Sequence, residues 1–343
     1  MSSFTRGSQA LIPSIRAQHH IHHPLTKTQT TLFSTTRAYN AKPQPPTSDN
    51  HKINPPTSTL PAPINLPTSL PTSASTPEKL KNLINHGRAY ITFYKTGLKN
   101  VWHNYRASLP HRKTLGLSTY IPTSPHKSPH SDKLHRGQYQ LVHRSARDVR
   151  RMIPFTLVLV ICGEFTPLII PFFGTTITPA TCRVPKQLTK ERDALSESKW
   201  RALSAVAQLE SAKDGSMPTA TPALGSSDEL GLLVQFADLN RAREADAAGV
   251  LRACAGLGLA KSVERAGAPL LVTLVYRRRL LGYLDYLRID DRLIRTCGGV
   301  EALSGDEVRI ALGERGAMDF AAVEQNEKEL RVWLKKWLDA RKE

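Results

Sequence analysis

One acidic residue, Glu164, lies alone in an otherwise apolar stretch and is the residue of this sequence most suited to chemistry. The stretch covers residues 152–173, and its other ionisable group is the thiol of Cys162. A carboxyl group inside a bilayer costs about 2.5–3.5 kcal/mol on insertion scales, and buried acids can exchange a proton for a cation. Glu164 is therefore an ion or proton candidate. The alternative is a protonated packing residue that forms a hydrogen bond with a neighbouring helix.

A second set of candidates consists of basic residues in the last third of the chain. Arginine and lysine side chains at this density can contact RNA phosphates, with an affinity that falls as the salt concentration rises. The alternative for each of them is a solvated helix face. The candidates for ribosome binding are Arg277, Arg278, Arg279, Arg292, Arg295, Arg331, Lys335 and Lys336.

Motifs of catalysis and metal binding are absent from the sequence. It contains no nucleophile elbow, Walker loop, dinucleotide fingerprint or metal-ligand spacing, and its four cysteines form no CxxC pair. We therefore expect no enzyme, no catalytic residue, no metal or cofactor and no small-molecule substrate. Asp290, Asp291 and Arg292 are interpreted as a helix cap and a surface ion pair.

The stretch 152–173 predicts a single transmembrane helix. A helix of this length reaches about 33 Å, and the apolar core of a bilayer is about 30 Å thick. The alternative is a buried hairpin, because Pro154, Pro167 and Pro171 interrupt the helical pattern.

Charge divides the chain at this stretch. The net charge is +18, and residues 1–151 hold 21 Lys and Arg against four Asp and Glu, whereas the rest is nearly neutral. A basic half of this kind suits polyanions such as RNA or acidic lipid headgroups.

The N-terminal part predicts a targeting signal followed by a linker. Residues 1–39 are rich in Ser, Thr and Arg, contain no acid, and end in Arg37-Ala38-Tyr39, which is typical of a mitochondrial transit peptide. The alternative is an ordinary disordered tail. Residues 40–75 are rich in Pro, Ser and Thr and predict a disordered linker.

Residues 76–151 predict a basic amphipathic helix and a juxtamembrane segment. Apolar residues recur at helical spacing from Leu80 to Tyr105, beside a basic face that begins at Lys81. Such a helix suits a membrane interface or, alternatively, the surface of another domain. The basic segment 136–151 is expected to anchor the following helix at lipid headgroups.

Residues 174–343 predict short helices that form one compact all-α module. Ser304 and Glu307 form a capping box, Gly316 ends the helix that follows, and the last helix has a clear apolar face. The residues of that face are Leu330, Trp333, Leu334, Trp337 and Leu338.

Three segments of this module resemble the LETM family, and specifically its ribosome-binding-like domain. They are Leu284–Ile294 (LDYLRIDDRLI), Gly298–Val308 (GGVEALSGDEV) and Glu314–Gly316. Ile153-Pro154-Phe155 with Glu164-Phe165 resembles the single inner-membrane span of the family.

The resemblance implies a mitochondrial inner-membrane protein with a disordered N-terminal region, one transmembrane helix and a helical domain in the matrix. The implied function is binding of mitochondrial ribosomes, in support of inner-membrane protein biogenesis and ion homeostasis. The alternative is a potassium–proton or calcium–proton exchanger, which one span per chain could form only as a homo-oligomer. Expected partners are the mitochondrial ribosome and inner-membrane lipids. Flanking charges slightly favour the opposite topology, with the N-terminal side in the matrix.

Overall fold

The computed structural model describes residues 50–68, 71, 75–162, 178–214, 222–260, 272–322 and 326–341. All of these residues belong to one unit, which spans Pro43–Glu343. Regular structure in the described residues is helical throughout, which confirms the all-α prediction. The predicted transit peptide and Glu164 lie outside the described residues.

Two long helices form the N-terminal half of the described chain. After a short helix α1 (Asn50–Ile53), α2 covers Thr76–Thr114 and α3 covers Arg136–Cys162. Asn104 of α2 and Arg144 of α3 both form hydrogen bonds with the turn at 57–59. The two helices therefore lie side by side.

A second contact gives their relative direction. Phe93 of α2 belongs to the same apolar cluster as Phe155 of α3. Residue numbers fall along α2 from Asn104 to Phe93 while they rise along α3 from Arg144 to Phe155. The two helices are therefore antiparallel, and the start of α2 lies at the same end of the pair as the end of α3.

One further long α-helix and seven shorter α-helices build the described C-terminal half. They are α4 (Pro185–Asp214), α5 (Ser227–Phe236), α6 (Leu239–Glu244), α7 (Ala247–Gly256), α8 (Arg278–Thr296), α9 (Gly305–Glu314), α10 (Met318–Ala322) and α11 (Glu327–Ala340). The predicted apolar face of the last helix is confirmed, because all five of its residues are buried in the main core. The same core includes Tyr139 and Val142 of α3, so α3 is a structural part of this half.

Gly316 ends α9, as the sequence predicts. Its φ of 86° lies in the left-handed region, where glycine is favoured. A Cβ atom at this position would also approach the carbonyl oxygen of Gly256 to 2.6 Å. Both backbone shape and close packing therefore require glycine here.

The prediction of a disordered linker is wrong for residues 50–60. Ile53 is fully buried in the main core, and the side chain of Asn54 donates to the carbonyl oxygen of Ala302 at 3.0 Å. Asn54 also accepts from the backbone N–H of Ser304 at 3.0 Å. These contacts join residues about 250 positions apart, so local composition could not predict them.

The predicted membrane span falls only partly on described residues. Residues 152–162 form the last turns of α3, and residues 163–173 lie outside the described part. Among the helices that the structure describes, none is both long and apolar enough to cross a membrane.

Candidate functional site

A buried cluster of charged side chains joins α3 to the C-terminal helices. Nε of Arg136 lies 2.8 Å from Oδ1 of Asp290, and its Nη1 lies 3.1 Å from Oε2 of Glu307. Arg144 contacts both carboxylate oxygens of Glu307, at 2.7 and 2.9 Å. All four residues are nearly or completely inaccessible to solvent. The two arginines of α3 therefore neutralise one carboxylate of α8 and one of α9.

Arg315 extends the cluster on the other side of α8. Its Nη2 lies 2.9 Å from Oδ2 of Asp290 and 2.5 Å from Oδ1 of Asp291. The indole N–H of Trp337 donates to Oδ2 of Asp291 at 3.3 Å. Arg341 also approaches Oδ2 of Asp291, at 3.7 Å. Three buried arginines and the partly exposed Arg341 thus surround three carboxylates, and the contacts join α3, α8, α9 and α11.

The interpretation of Asp290 and Asp291 as a helix cap and surface ion pair is wrong. Both side chains are buried inside α8, with 0 % and 2 % of the residue exposed. Burial alone would raise the pKa of Asp290, but the charges of Arg136 and Arg315 hold that pKa well below its usual range. The pKa of Glu307 is lowered in the same way by Arg144 and Arg136, against the effect of burial. Both carboxylates are therefore ionised in the folded protein.

Two further sequence interpretations are corrected by this cluster. The segment 136–151 is expected to anchor at lipid headgroups, but two of its arginines, Arg136 and Arg144, are buried in the core, at i and i+8 on one face of α3. The capping box is half formed: Ser304 accepts from the N–H of Glu307 at 3.4 Å. The Glu307 carboxylate binds the arginines instead, and the N–H of Ser304 donates to the side-chain oxygen of Asn54.

Next to the cluster lies a partly buried histidine. The ring of His143 stacks on that of Tyr286, with centroids 4.1 Å apart. Burial, together with the charges of Arg147, His126, Arg144 and Arg150, lowers the pKa of His143 well below 6.5. His143 is therefore neutral when the protein is folded.

Because folded His143 resists protonation, the protein is expected to lose stability in mild acid. The unfolded chain takes up a proton near pH 6.5, whereas folded His143 does not, so its contribution is present above that pH and falls as the pH drops. Between about pH 7.5 and pH 5 the loss is at most about 2 kcal/mol, the limit for one group that takes up no proton in the folded state. His143→Phe, which retains the stacking, is expected to remove this part of the pH dependence in urea unfolding. His103→Phe, on the exposed side of α2, is the control for the His-to-Phe substitution itself. Equal pH dependence of His143→Phe and the parent chain would contradict the assignment.

An open cleft of about 1100 Å³ lies beside α8. The turn at 126–131 and the start of α6 form the other walls. Its cationic lining residues are Lys127, Arg288, Arg292, Arg295 and Arg341. Its acidic lining residues are Asp238, Asp285 and Asp291, the last of which is already paired with Arg315. The cleft therefore presents an excess of positive charge.

The structure brings two of the predicted basic residues, Arg292 and Arg295, into this cleft. Arg292 is exposed, and Arg295 also donates to the carbonyl oxygen of Leu338 at 2.8 Å. Four others lie exposed outside its lining: Arg278, Arg279, Lys335 and Lys336.

The two remaining candidates hold the fold together. Arg277 donates to the carbonyl oxygen of Ala245, and Arg331 donates to those of Val300 and Leu303, at 2.5 and 2.8 Å. Their side chains are therefore committed to backbone contacts.

Sequence reasoning missed Lys127, Arg288 and Arg341 of the cleft and the arginines of the cluster. Arg288 could have been found, because Arg288, Arg292 and Arg295 follow one another at i, i+4 and i+7 and share a face of α8. The burial of Asp291 also had a signal, since it continues the helical row of Leu284 and Leu287. No sequence signal indicated the arginine partners on α3, because they lie about 150 residues earlier in the chain.

Comparison with known proteins identifies the C-terminal segment. The family model described as LETM1-like, RBD matches residues 267–343. This segment is therefore a LETM1-like RBD domain, and the resemblance to the LETM family is confirmed there. It contains α8 to α11, most of the cationic lining of the cleft, and the acidic half of the buried cluster. No curated protein and no solved structure matches the chain.

Proposed function

We propose that the chain tethers mitochondrial ribosomes to the inner membrane and so supports inner-membrane protein biogenesis and ion homeostasis. The observation that carries the proposal is the cleft whose arginines all lie in the LETM1-like RBD segment. Arg288, Arg292 and Arg295 form one row along α8, at the spacing of successive helical turns. Guanidinium groups bind phosphate oxygens in a bidentate manner, so such a row suits an RNA backbone.

The proposal includes a membrane anchor and a mitochondrial targeting signal. Residues 1–39 would be the transit peptide, and residues 152–173 would cross the inner membrane. The LETM1-like RBD segment would lie in the matrix, where mitochondrial ribosomes are found. Because α3 leads directly into the anchor and is locked to α8 and α9, the cleft would be held at a fixed position relative to the bilayer.

Co-sedimentation of the full chain with mitochondrial ribosomes tests the cleft. Each lost phosphate contact lowers the slope of log affinity against log salt by about one. Replacing Arg288 and Arg292 by glutamine is therefore expected to lower the slope by about two, with weaker binding at low salt.

A matched control is the double replacement Arg192→Gln and Arg201→Gln. These arginines are exposed on α4, and each lies near an acidic neighbour. The control is expected to retain the salt dependence of the parent chain. Equal slopes for both double variants would remove the cleft from the proposal, and no co-sedimentation at any salt would remove ribosome binding.

Exchange of potassium or calcium for protons is the second candidate function. It rests on the lone carboxyl group of Glu164 in the apolar stretch 152–173. Since one span cannot enclose an ion pathway, this function requires a homo-oligomer. Glu164→Gln is expected to abolish cation–proton flux in reconstituted vesicles, and unchanged flux would exclude the role.

A further inference from the structure

Helices α2 and α3 leave apolar side chains exposed at one end of their antiparallel pair. On α2 these are Leu80, Leu83, Ile84 and Ile91, and on α3 they are Ile153, Leu157, Val160 and Ile161; each is between 48 % and 75 % exposed. Both helices continue beyond the apolar cluster that includes Phe93 and Phe155. The exposed residues on the two helices therefore lie at the same end of the pair.

The uncovered residues of α2 form a continuous stripe. Leu80, Ile84 and Ile91 are spaced at i, i+4 and i+11, and Trp102 continues the row at i+22. The buried face of α2, which includes Phe93 and Val101, lies on a different side of the helix. Packing against α3 therefore leaves this stripe free of any contact within the described protein that would bury it.

A row of basic residues runs beside the stripe. It consists of Lys81, Arg88, Lys95, Lys99 and Arg106, at spacings of four or seven. Glu78 is the only acidic residue between 76 and 106. The guanidinium of Arg106 also lies 6.0 Å from the ring centroid of Trp102. A basic row next to an apolar stripe with a tryptophan is the pattern of a helix in the interface of an acidic membrane.

We propose that this end of the helix pair lies in the headgroup region of a bilayer that contains acidic lipids. The α2 stripe and the end of α3 contact acyl chains, and the basic row contacts lipid phosphates. Charge favours a lipid surface, because six cations face one acid over 76–106. The sequence that follows α3 also favours a lipid surface, because it continues the apolar stretch after Cys162 as GEFTPLIIPFF. This lipid contact goes beyond the proposed ribosome tether and does not depend on ribosome binding.

A tryptophan reporter tests the proposal in the full chain. The variant Ile84→Trp places the reporter on the stripe, and Asn85→Trp places it one residue further, on the polar side at nearly the same depth. Each protein is reconstituted in vesicles of phosphatidylcholine with about 30 % phosphatidylglycerol, with or without brominated acyl chains that quench nearby tryptophan. The emission of the added tryptophan is the difference from the parent chain.

We expect the emission of Ile84→Trp to fall about twofold in brominated vesicles, with little change for Asn85→Trp. Removing phosphatidylglycerol, or replacing Lys81, Arg88 and Lys95 by glutamine, should weaken the quenching. Equal quenching of both variants by brominated lipid, in vesicles that retain the protein, would overturn the lipid contact and leave the anchor intact. A blue shift that follows protein concentration without quenching would assign the stripe to a second copy of the chain and also overturn it. Failure of the protein to float with vesicles would reject the lipid contact and the anchor together.

Discussion

Replacing Asp290 by alanine is expected to destabilise the folded chain by about 3–5 kcal/mol. The change removes the α8 carboxylate with which Arg136 pairs and deprives Arg315 of one of its two carboxylates. Guanidinium groups that lose a carboxylate in the core cannot recover water, so the cost exceeds that of a lost surface pair. Urea unfolding followed by circular dichroism measures the effect.

Asp285→Ala is the matched control on the same helix. Its carboxylate is about 40 % exposed and lies 3.8 Å from the exposed guanidinium of Arg288. Surface pairs of this kind contribute little, so the loss should stay within about 0.5 kcal/mol. If Asp290→Ala were as mild as Asp285→Ala, the buried cluster would not be the connection between α3 and α8.

The isolated segment 267–343 is expected not to fold at neutral pH, although it is the part that the family model matches. Without α3, Glu307 loses both of its arginine partners and Asp290 loses Arg136. Three buried ion pairs are broken, and the two carboxylates that lose partners together cost about 6–10 kcal/mol, which is comparable with the whole stability of a domain. The loss of Tyr139 and Val142 from the core adds to this cost. Circular dichroism and limited proteolysis of the fragment, beside the full chain, measure the outcome.

Two controls separate charge from packing in that experiment. The same fragment with Asp290→Asn and Glu307→Gln carries fewer unpaired charges and should recover part of its helicity. A peptide of residues 134–151, added in trans, should protect the unmodified fragment from proteolysis. Cooperative unfolding of the unmodified fragment by itself would show that α3 is dispensable for this domain.

Helix α11 shows what the sequence can predict. Its five core residues repeat at the helical period within a single segment, so the buried face follows from local spacing. The all-α class and the end of α9 at Gly316 follow from local signals in the same way. Each of these features depends on residues within a few helical turns of one another.

The site depends on pairing between residues far apart in the chain, which the local spacing of residue types cannot predict. Arg136 and Arg144 look like a membrane-proximal basic flank, because nothing nearby in the sequence reveals the buried carboxylates of α8 and α9. The segment at 50–60 looks like a linker for the same reason, since Asn54 finds its partners about 250 residues later. In contrast, the row Arg288, Arg292 and Arg295 was visible in the sequence, although not the cleft that it lines.

These contacts give the proposed tether a mechanical basis. The helix that leads toward the predicted span is the helix whose arginines enter the C-terminal core. A flexible link would let the cleft move freely relative to the bilayer, whereas a buried cluster of ion pairs fixes the two together. Under the proposed function, a ribosome bound at the cleft would therefore have a defined orientation toward the membrane.

Flotation of mitochondrial ribosomes with vesicles that carry the full chain is the most direct test of the tether. Ribosomes should float with these vesicles at about 50 mM salt and be released at about 200 mM, because phosphate contacts weaken steeply over that range. Vesicles that carry the chain with Arg288→Gln and Arg292→Gln should retain fewer ribosomes at low salt than those with the α4 control pair. Ribosomes that remain at the bottom of the gradient, while the chain itself floats, would contradict the account.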